Sequence, residues 1–281
     1  MKTNAFIFLL IAIIPLSFKS IQENKRSSDP GRFNVDKDLL LAQFDCKTDV
    51  DDLHSAAALV TLLSDPRFSK IKYHAVAGTY GIQEGLYVPP NDLFKVAFGK
   101  NWTDAHNNVE SAIKQVKIIV ESTLANGGDI WIAEAGQSDF SALLVKSIQA
   151  DLPHVKTAQR IHVVQHSDWN EEVTAPASLQ FVKQNTDYHK IADGNVVGNG
   201  TPGFRDPDNT SWKNKIKNPK LKEIWQLAVD LGIKYNGKDG RYNNAAVSAG
   251  GLDFSDLSET CWILGQEDIK DTEEFFNRYA K

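Results

Sequence analysis

The segment Phe44-Asp45-Cys46-Lys47-Thr48-Asp49-Val50-Asp51-Asp52-Leu53-His54 gathers four carboxylates within eight residues. One or two acids before a helix are accounted for by capping, with Asp49 at the cap and Asp51 and Asp52 complementing the positive end of the dipole. Four acids in so short a loop repel one another unless a cation, a proton or water relieves them, so the segment points to a metal or a sugar. Hard oxygen donors of this kind suit calcium or magnesium. A second concentration of chemistry is His166-Ser167-Asp168-Trp169-Asn170-Glu171-Glu172, which joins an imidazole, an amide, carboxylates and a large aromatic face. These groups recognise sugars: Trp169 to stack on a ring, Asn170 and Glu171 to bond hydroxyls, His166 to give a proton to a leaving group. A solvated loop with Trp169 tucked into the core is the plainer alternative. The remaining histidines, His54, His74, His106, His154, His162 and His189, show no metal-like spacing. His74 and His162 lie inside strand-like runs and read as hydrogen-bonded structural groups.

Both segments follow strands. Residues 39–44 form a short buried-strand pattern, and residues 52–63 repeat apolar positions at helical spacing through Leu53, Ala56, Ala57, Val60 and Leu63. Further strands are expected at 71–77, 129–133 and 160–165, and helices at 107–124, 140–149, 220–231 and 256–264. Such alternation predicts an α/β fold with an open, mostly parallel sheet and helices on both faces. Ligands then bind beyond the carboxyl ends of the strands, where both segments fall. Residues 194–219, rich in Gly, Asn, Asp and Pro, are expected to be a long irregular connection.

The chain has 281 residues, of which 42% are hydrophobic and 24% charged, which excludes a mainly disordered protein. A net charge of -5 gives no pull toward nucleic-acid polymers or anionic lipid. Residues 1–20 carry an apolar stretch from Phe6 to Leu16, shorter than the ~20 residues that span a bilayer, and read as a signal peptide. The expectation is therefore a secreted or periplasmic protein with no stable membrane span after signal removal. Residues 21–37 read as a flexible leader and 38–281 as a single domain. Two cysteines, Cys46 and Cys261, allow one disulfide or two buried thiols. Oligomeric state stays open, a homo-oligomer among the options.

The run Asp45-Cys46-Lys47-Thr48-Asp49-Val50-Asp51-Asp52 resembles the aspartate-rich motif of nucleoside hydrolases, Asp-x-Asp-Pro-Gly-x-Asp-Asp, in length and placement. Two further segments are similar to that family's motifs in the same order: Ala135-Gly136-Gln137-Ser138-Asp139-Phe140, and Ser255-Asp256-Leu257-Ser258-Glu259-Thr260-Cys261-Trp262. The resemblance implies a nucleoside-hydrolase-like α/β fold that binds calcium and cleaves N-glycosidic bonds of ribonucleosides. It implies Asp45, Asp52, the Asp139 carbonyl and Asp256 as metal ligands. The chain departs from the pattern at Lys47, which replaces the aspartate that is both ligand and water-activating base. Either Asp49, shifted by two residues, takes over that role, or the Lys47 ammonium occupies the metal's place among Asp45, Asp52 and Asp256.

The expected function is that of an exported hydrolase acting on a nucleoside or other small glycoside, with Asp49 or Asp51 positioning water and His166 as acid. The alternative is a sugar-binding protein of the same fold that lost catalysis when Lys47 replaced the base, Lys47 itself then contacting ligand.

Overall fold

Alternation along the first strand decides how the sheet is covered. In β1 (Leu39–Phe44) the residues Leu40, Ala42 and Phe44 enter one apolar core, while Leu39 and Leu41 enter a second core on the opposite face. A strand buried on both faces reads as a continuous apolar run, which is why the sequence signal was strong there. The structure, a computed structural model, describes residues 32–196 and 203–280. The expected signal peptide lies outside the described residues, as does most of the expected leader.

Five more strands complete a parallel sheet: β2 (Lys72–Ala77), β3 (Trp102–Asp104), β4 (Ile130–Ala135), β5 (Ile161–Gln165) and β6 (Asp187–Lys190). Their order is β3-β2-β1-β4-β5-β6, with every neighbouring pair parallel. The helices are α1 (Asp51–Leu63), α2 (Asn91–Phe98), α3 (Val109–Ala125), α4 (Asp139–Asp151), α5 (Thr157–Arg160), α6 (Asp168–Glu172) and α7 (Pro176–Asn185). They are followed by α8 (Trp212–Lys215), α9 (Pro219–Tyr235), α10 (Ala245–Ser248), α11 (Ser258–Ile263) and α12 (Thr272–Tyr279). A two-stranded antiparallel ribbon, β7 (Arg205–Asp206) with β8 (Leu252–Asp253), lies in the later part of the chain.

One face of the sheet is covered by α1, α2, α9 and α12 through Leu53, Phe94, Trp225 and Phe276; the other is covered by α3, α4 and α7 through Val116, Phe140 and Val182. The α/β expectation holds in this form: a six-stranded parallel sheet with helices on both faces. Elements α2, β3, α5, α6, α7, β6, α10, β8 and α12 were not expected, nor were β7 and α8, which lie within residues 194–219, expected to be irregular. Strand β3 has three residues, too few to show a period, and β6 is a polar edge strand, Asp-Tyr-His-Lys. Residues 32–37, expected within a flexible leader, pack on the domain instead. Phe33 is buried, and the Arg32 guanidinium lies 3.7 Å from the Trp262 ring centroid and bonds the Trp262 carbonyl. Among the described residues no helix is long and apolar enough to cross a membrane.

Candidate active site

In this strand order the crossovers from β1 and from β4 leave toward opposite ends of the sheet, which opens a crevice above their carboxyl ends. A cleft of about 410 Å³ occupies that position, lined by Asp45, Lys47, Asp49, Asp51 and Asp52 after β1, by Gly136 after β4, by His166, Trp169 and Asn170 after β5, and by Asp256. Gly136, with φ of 149°, lets the two central strand ends close, because a Cβ there would stand 2.7 Å from the Cβ of Asp45. Cys46 and Ser167, with φ of 52° and 69°, hold left-handed conformations uncommon for non-glycine residues, in the loops after β1 and β5. Below the cleft, Gln43 pairs in register with Glu134, and Gln165 donates from β5 to Glu134 at 2.9 Å and to the Gly136 carbonyl at 2.7 Å. This buried polar belt fixes the turn carrying Gly136. Burial pushes the Glu134 carboxyl up to about 7, against the bonds it accepts from Ser138 and Ser141.

The acids of the first loop do not cap α1. The cap position is Val50, and Asp49 accepts from the Val50 amide at 2.6 Å. Asp51 and Asp52, in the first turn of α1, meet Asp256, which sits in the 3-10 turn Ser255–Leu257 some two hundred residues later in the chain. One carboxylate oxygen from each of the three lies within 4.8 Å of the others. Asp52 is 3% exposed; its Oδ2 accepts from the Cys46 amide at 2.6 Å, while its Oδ1 is buried without a hydrogen-bond partner in the protein. Asp45 joins the cluster from β1's end, accepting from the Lys47 amide and from Gln137 Nε2, both at 2.7 Å. Burial above all, then mutual repulsion with Asp256, pushes the Asp51 and Asp52 carboxyls well up; burial raises Asp45 to about 6. A set of hard oxygens with an orphaned carboxylate atom could hold a metal ion, with Asp51, Asp52 and Asp256 as its ligands and Asp45 alongside.

Two cationic groups border the cluster. His166 Nε2 lies 3.9 Å from Asp256, and its Nδ1 lies 2.9 Å from Glu259, in poor alignment for a hydrogen bond. Burial works to lower the imidazole pKa, but the fully buried Glu259 carboxylate, helped by Asp256, outweighs it and raises the ring to about 9. The two carboxylates thus favour the charged form of the imidazole. On the other side Arg205 stands 3.3 Å from Asp253, which also accepts from Asn244 at 2.8 Å. Asn244 reaches Asp49 as well, at 3.1 Å. Burial, then the nearby Asp253, hold the Asp49 carboxyl up at about 7. Glu259, Asp253, Arg205 and Asn244 are functional neighbours that sequence reading missed.

The structure brings most of the expected residues together, with three differences. The Lys47 ammonium lies over the Tyr80 ring, 4.3 Å from its centroid, and among the described residues makes no ion pair with Asp45, Asp52 or Asp256. Glu171 is turned away from the cleft: Lys183 at 2.7 Å, the Tyr188 hydroxyl at 2.7 Å and Lys190 at 3.1 Å hold it, and these bonds outweigh burial to lower its pKa. Asp139 opens α4 but does not line the cleft, and its carboxylate accepts from the Ala175 amide at 3.2 Å. Trp169, 56% exposed, stands at the cleft's rim rather than in the core. Asn170 lines the cleft and donates to the His166 carbonyl at 3.3 Å. Cys46 and Cys261 are two buried free thiols. A second hollow of about 330 Å³ shares Lys47 with the cleft and is walled by Tyr80, Tyr87, His106 and Arg241, with Tyr87 stacked on His106 at 3.8 Å.

Chemically, the cleft offers a cluster of buried carboxyl groups, an imidazole between two carboxylates and an exposed aromatic face. No family model matches the chain, and no curated protein matches it.

Proposed function

We propose that this chain is an exported hydrolase of nucleoside-hydrolase-like fold that cleaves the glycosidic bond of a nucleoside or small glycoside. The observation that carries the reading is the convergence of Asp51, Asp52 and Asp256 within 4.8 Å at the carboxyl ends of the central strands. Three carboxylates so close in space are costly unless a cation, protons or sugar hydroxyls compensate them. A divalent cation, when bound by Asp51, Asp52 and Asp256, supplies positive charge and further coordination positions for sugar hydroxyls.

The chain's own residues do the rest. Negative charge around the sugar favours an oxocarbenium-like transition state over the neutral ground state. Asp49, with a pKa of about 7, accepts the proton of the attacking water more readily than an ordinary aspartate. The amide of Asn244, bonded to Asp49 and to Asp253, fixes the direction of that carboxylate. His166, charged and backed by Glu259, gives its proton to the departing group. Trp169 packs on the sugar or the leaving group at the rim, and the hollow of Tyr80, Tyr87 and His106 leaves room for an aromatic aglycone.

The test is hydrolysis of a panel of ribonucleosides and p-nitrophenyl glycosides by the wild type against an Asp256→Asn control. Turnover lost in the variant supports the reading. Ribose binding by a wild type that turns over nothing in the panel would instead favour the sugar-binding alternative, with Lys47 in place of the base.

A further inference from the structure

Away from the cleft, His162, Asp187 and His189 form a second constellation that no sequence spacing announces. Strand register creates it: His162 on β5 pairs with Asp187 on β6, and His189, two residues on, returns to the same face. His162 Nδ1 lies 2.7 Å and His189 Nε2 lies 2.9 Å from the same Asp187 oxygen, and one donor atom from each residue falls within 4.8 Å of the others. A carboxylate also stands behind the second ring nitrogen of His162, just beyond hydrogen-bond distance. His162 Nε2 is buried without a hydrogen-bond partner and faces Asp129 at 3.6 Å, and Asp129 is itself paired with Arg160. A carboxylate behind the second ring nitrogen is the arrangement that orients a metal-bound imidazole. The Trp131 indole stacks on the His162 ring at 4.0 Å, and the Trp262 ring lies 4.9 Å from His189. Asp187 and His189 are partly exposed, which leaves a path for entry and room for a further ligand such as water.

We propose that His162, Asp187 and His189 bind a divalent transition-metal ion of the zinc type, at a site separate from the aspartate cleft. Two imidazole nitrogens and a carboxylate select such an ion over calcium, which prefers six to eight oxygens. His162 precedes His166 by four strand residues, about 13 Å of extended chain, so the two sites take their ions independently.

The experiment uses the full chain stripped with EDTA, then titrated with zinc in millimolar calcium to keep the aspartate cleft occupied. The wild type is expected to bind one zinc ion at micromolar concentration. His189→Gln should weaken that binding at least tenfold and Asp129→Asn by roughly 10–100-fold, while His154→Gln, at an exposed imidazole outside both sites, leaves it unchanged. Unaltered zinc binding in His189→Gln, or no binding by the wild type, overturns the proposal. A readout that needs no variant is the copper(II) electron paramagnetic resonance spectrum of the wild type at substoichiometric metal. Splitting from two imidazole nitrogens supports the site, and a spectrum of oxygen donors alone overturns it.

Discussion

Replacing Asp52 with asparagine should stabilise the metal-free protein while abolishing its response to calcium. Asp52 is almost wholly buried, with one oxygen bonded to the Cys46 amide at 2.6 Å and the other unpartnered. Asparagine keeps an acceptor for that amide, removes a charge, and turns an NH2 group toward its acidic neighbours. Two unit charges separated by the observed limit of 4.8 Å repel by about 3.5 kcal/mol at an effective dielectric constant of ~20. The metal-free wild type escapes part of this by taking up protons, so the variant should gain about 1–3 kcal/mol. Urea denaturation in EDTA reads the difference as a higher midpoint at unchanged slope. In calcium at a hundred times its dissociation constant, the wild type should gain about 2.7 kcal/mol and the variant nothing. A variant less stable than the wild type in EDTA, or one that keeps the calcium increment, would refute the reasoning, because Asp52 would then be satisfied by the protein itself.

Three further outcomes are expected. His166→Gln removes the charged donor beside Asp256, and kcat on unactivated nucleosides should fall about 10²–10⁴-fold, with a smaller loss on p-nitrophenyl ribosides whose leaving group needs no proton; equal losses on both substrates would contradict the acid role. Trp169→Ala should raise KM several-fold with Tm nearly unchanged, since the indole is 56% exposed; an unaltered KM would remove the ring from the ligand site. His74, bonded to Thr103 at 2.8 Å and held down at about 4 by burial, titrates near 6.5 when unfolded. The unfolded state therefore binds the extra proton between those values, so stability is full above pH 6.5 and declines by about 3 kcal/mol as the pH drops to 4. Urea midpoints at pH 7.5 and 5 should differ less in His74→Gln, and an undiminished difference would exclude His74 as the source.

What the sequence disclosed depended on whether a signal was local. Strand β1, the acidic loop and α1 are contiguous, so period and residue type marked both the elements and the cluster they carry. Asp256 was reached by resemblance to a motif at a helix start, and its meeting with Asp51 and Asp52 followed from the topology. Asp253 and Arg205 sit on two-residue strands, and their pairing depends on a ribbon too short to leave a pattern. Glu259 was quoted only as part of a helix start; its partner His166 lies 93 residues earlier. Glu171 was drawn into the site by its neighbours Trp169 and Asn170. On the short helix α6 it stands about 200° around the axis from Trp169, which sends it to Lys183 and Lys190 instead. His162 and His189 looked unrelated because cross-strand register, invisible to sequence spacing, is what joins them at Asp187.

On the proposed reading, Asp51, Asp52 and Asp256 form one cation-assisted sugar site. The direct test is crystallography of the protein soaked with calcium and ribose, with the ion located by its anomalous scattering. One calcium is expected among these three carboxylates, with ribose hydroxyls on the ion and the sugar ring beneath Trp169. Ribose bound elsewhere, or the Lys47 ammonium moved in among the acids with no calcium beside them, would contradict it.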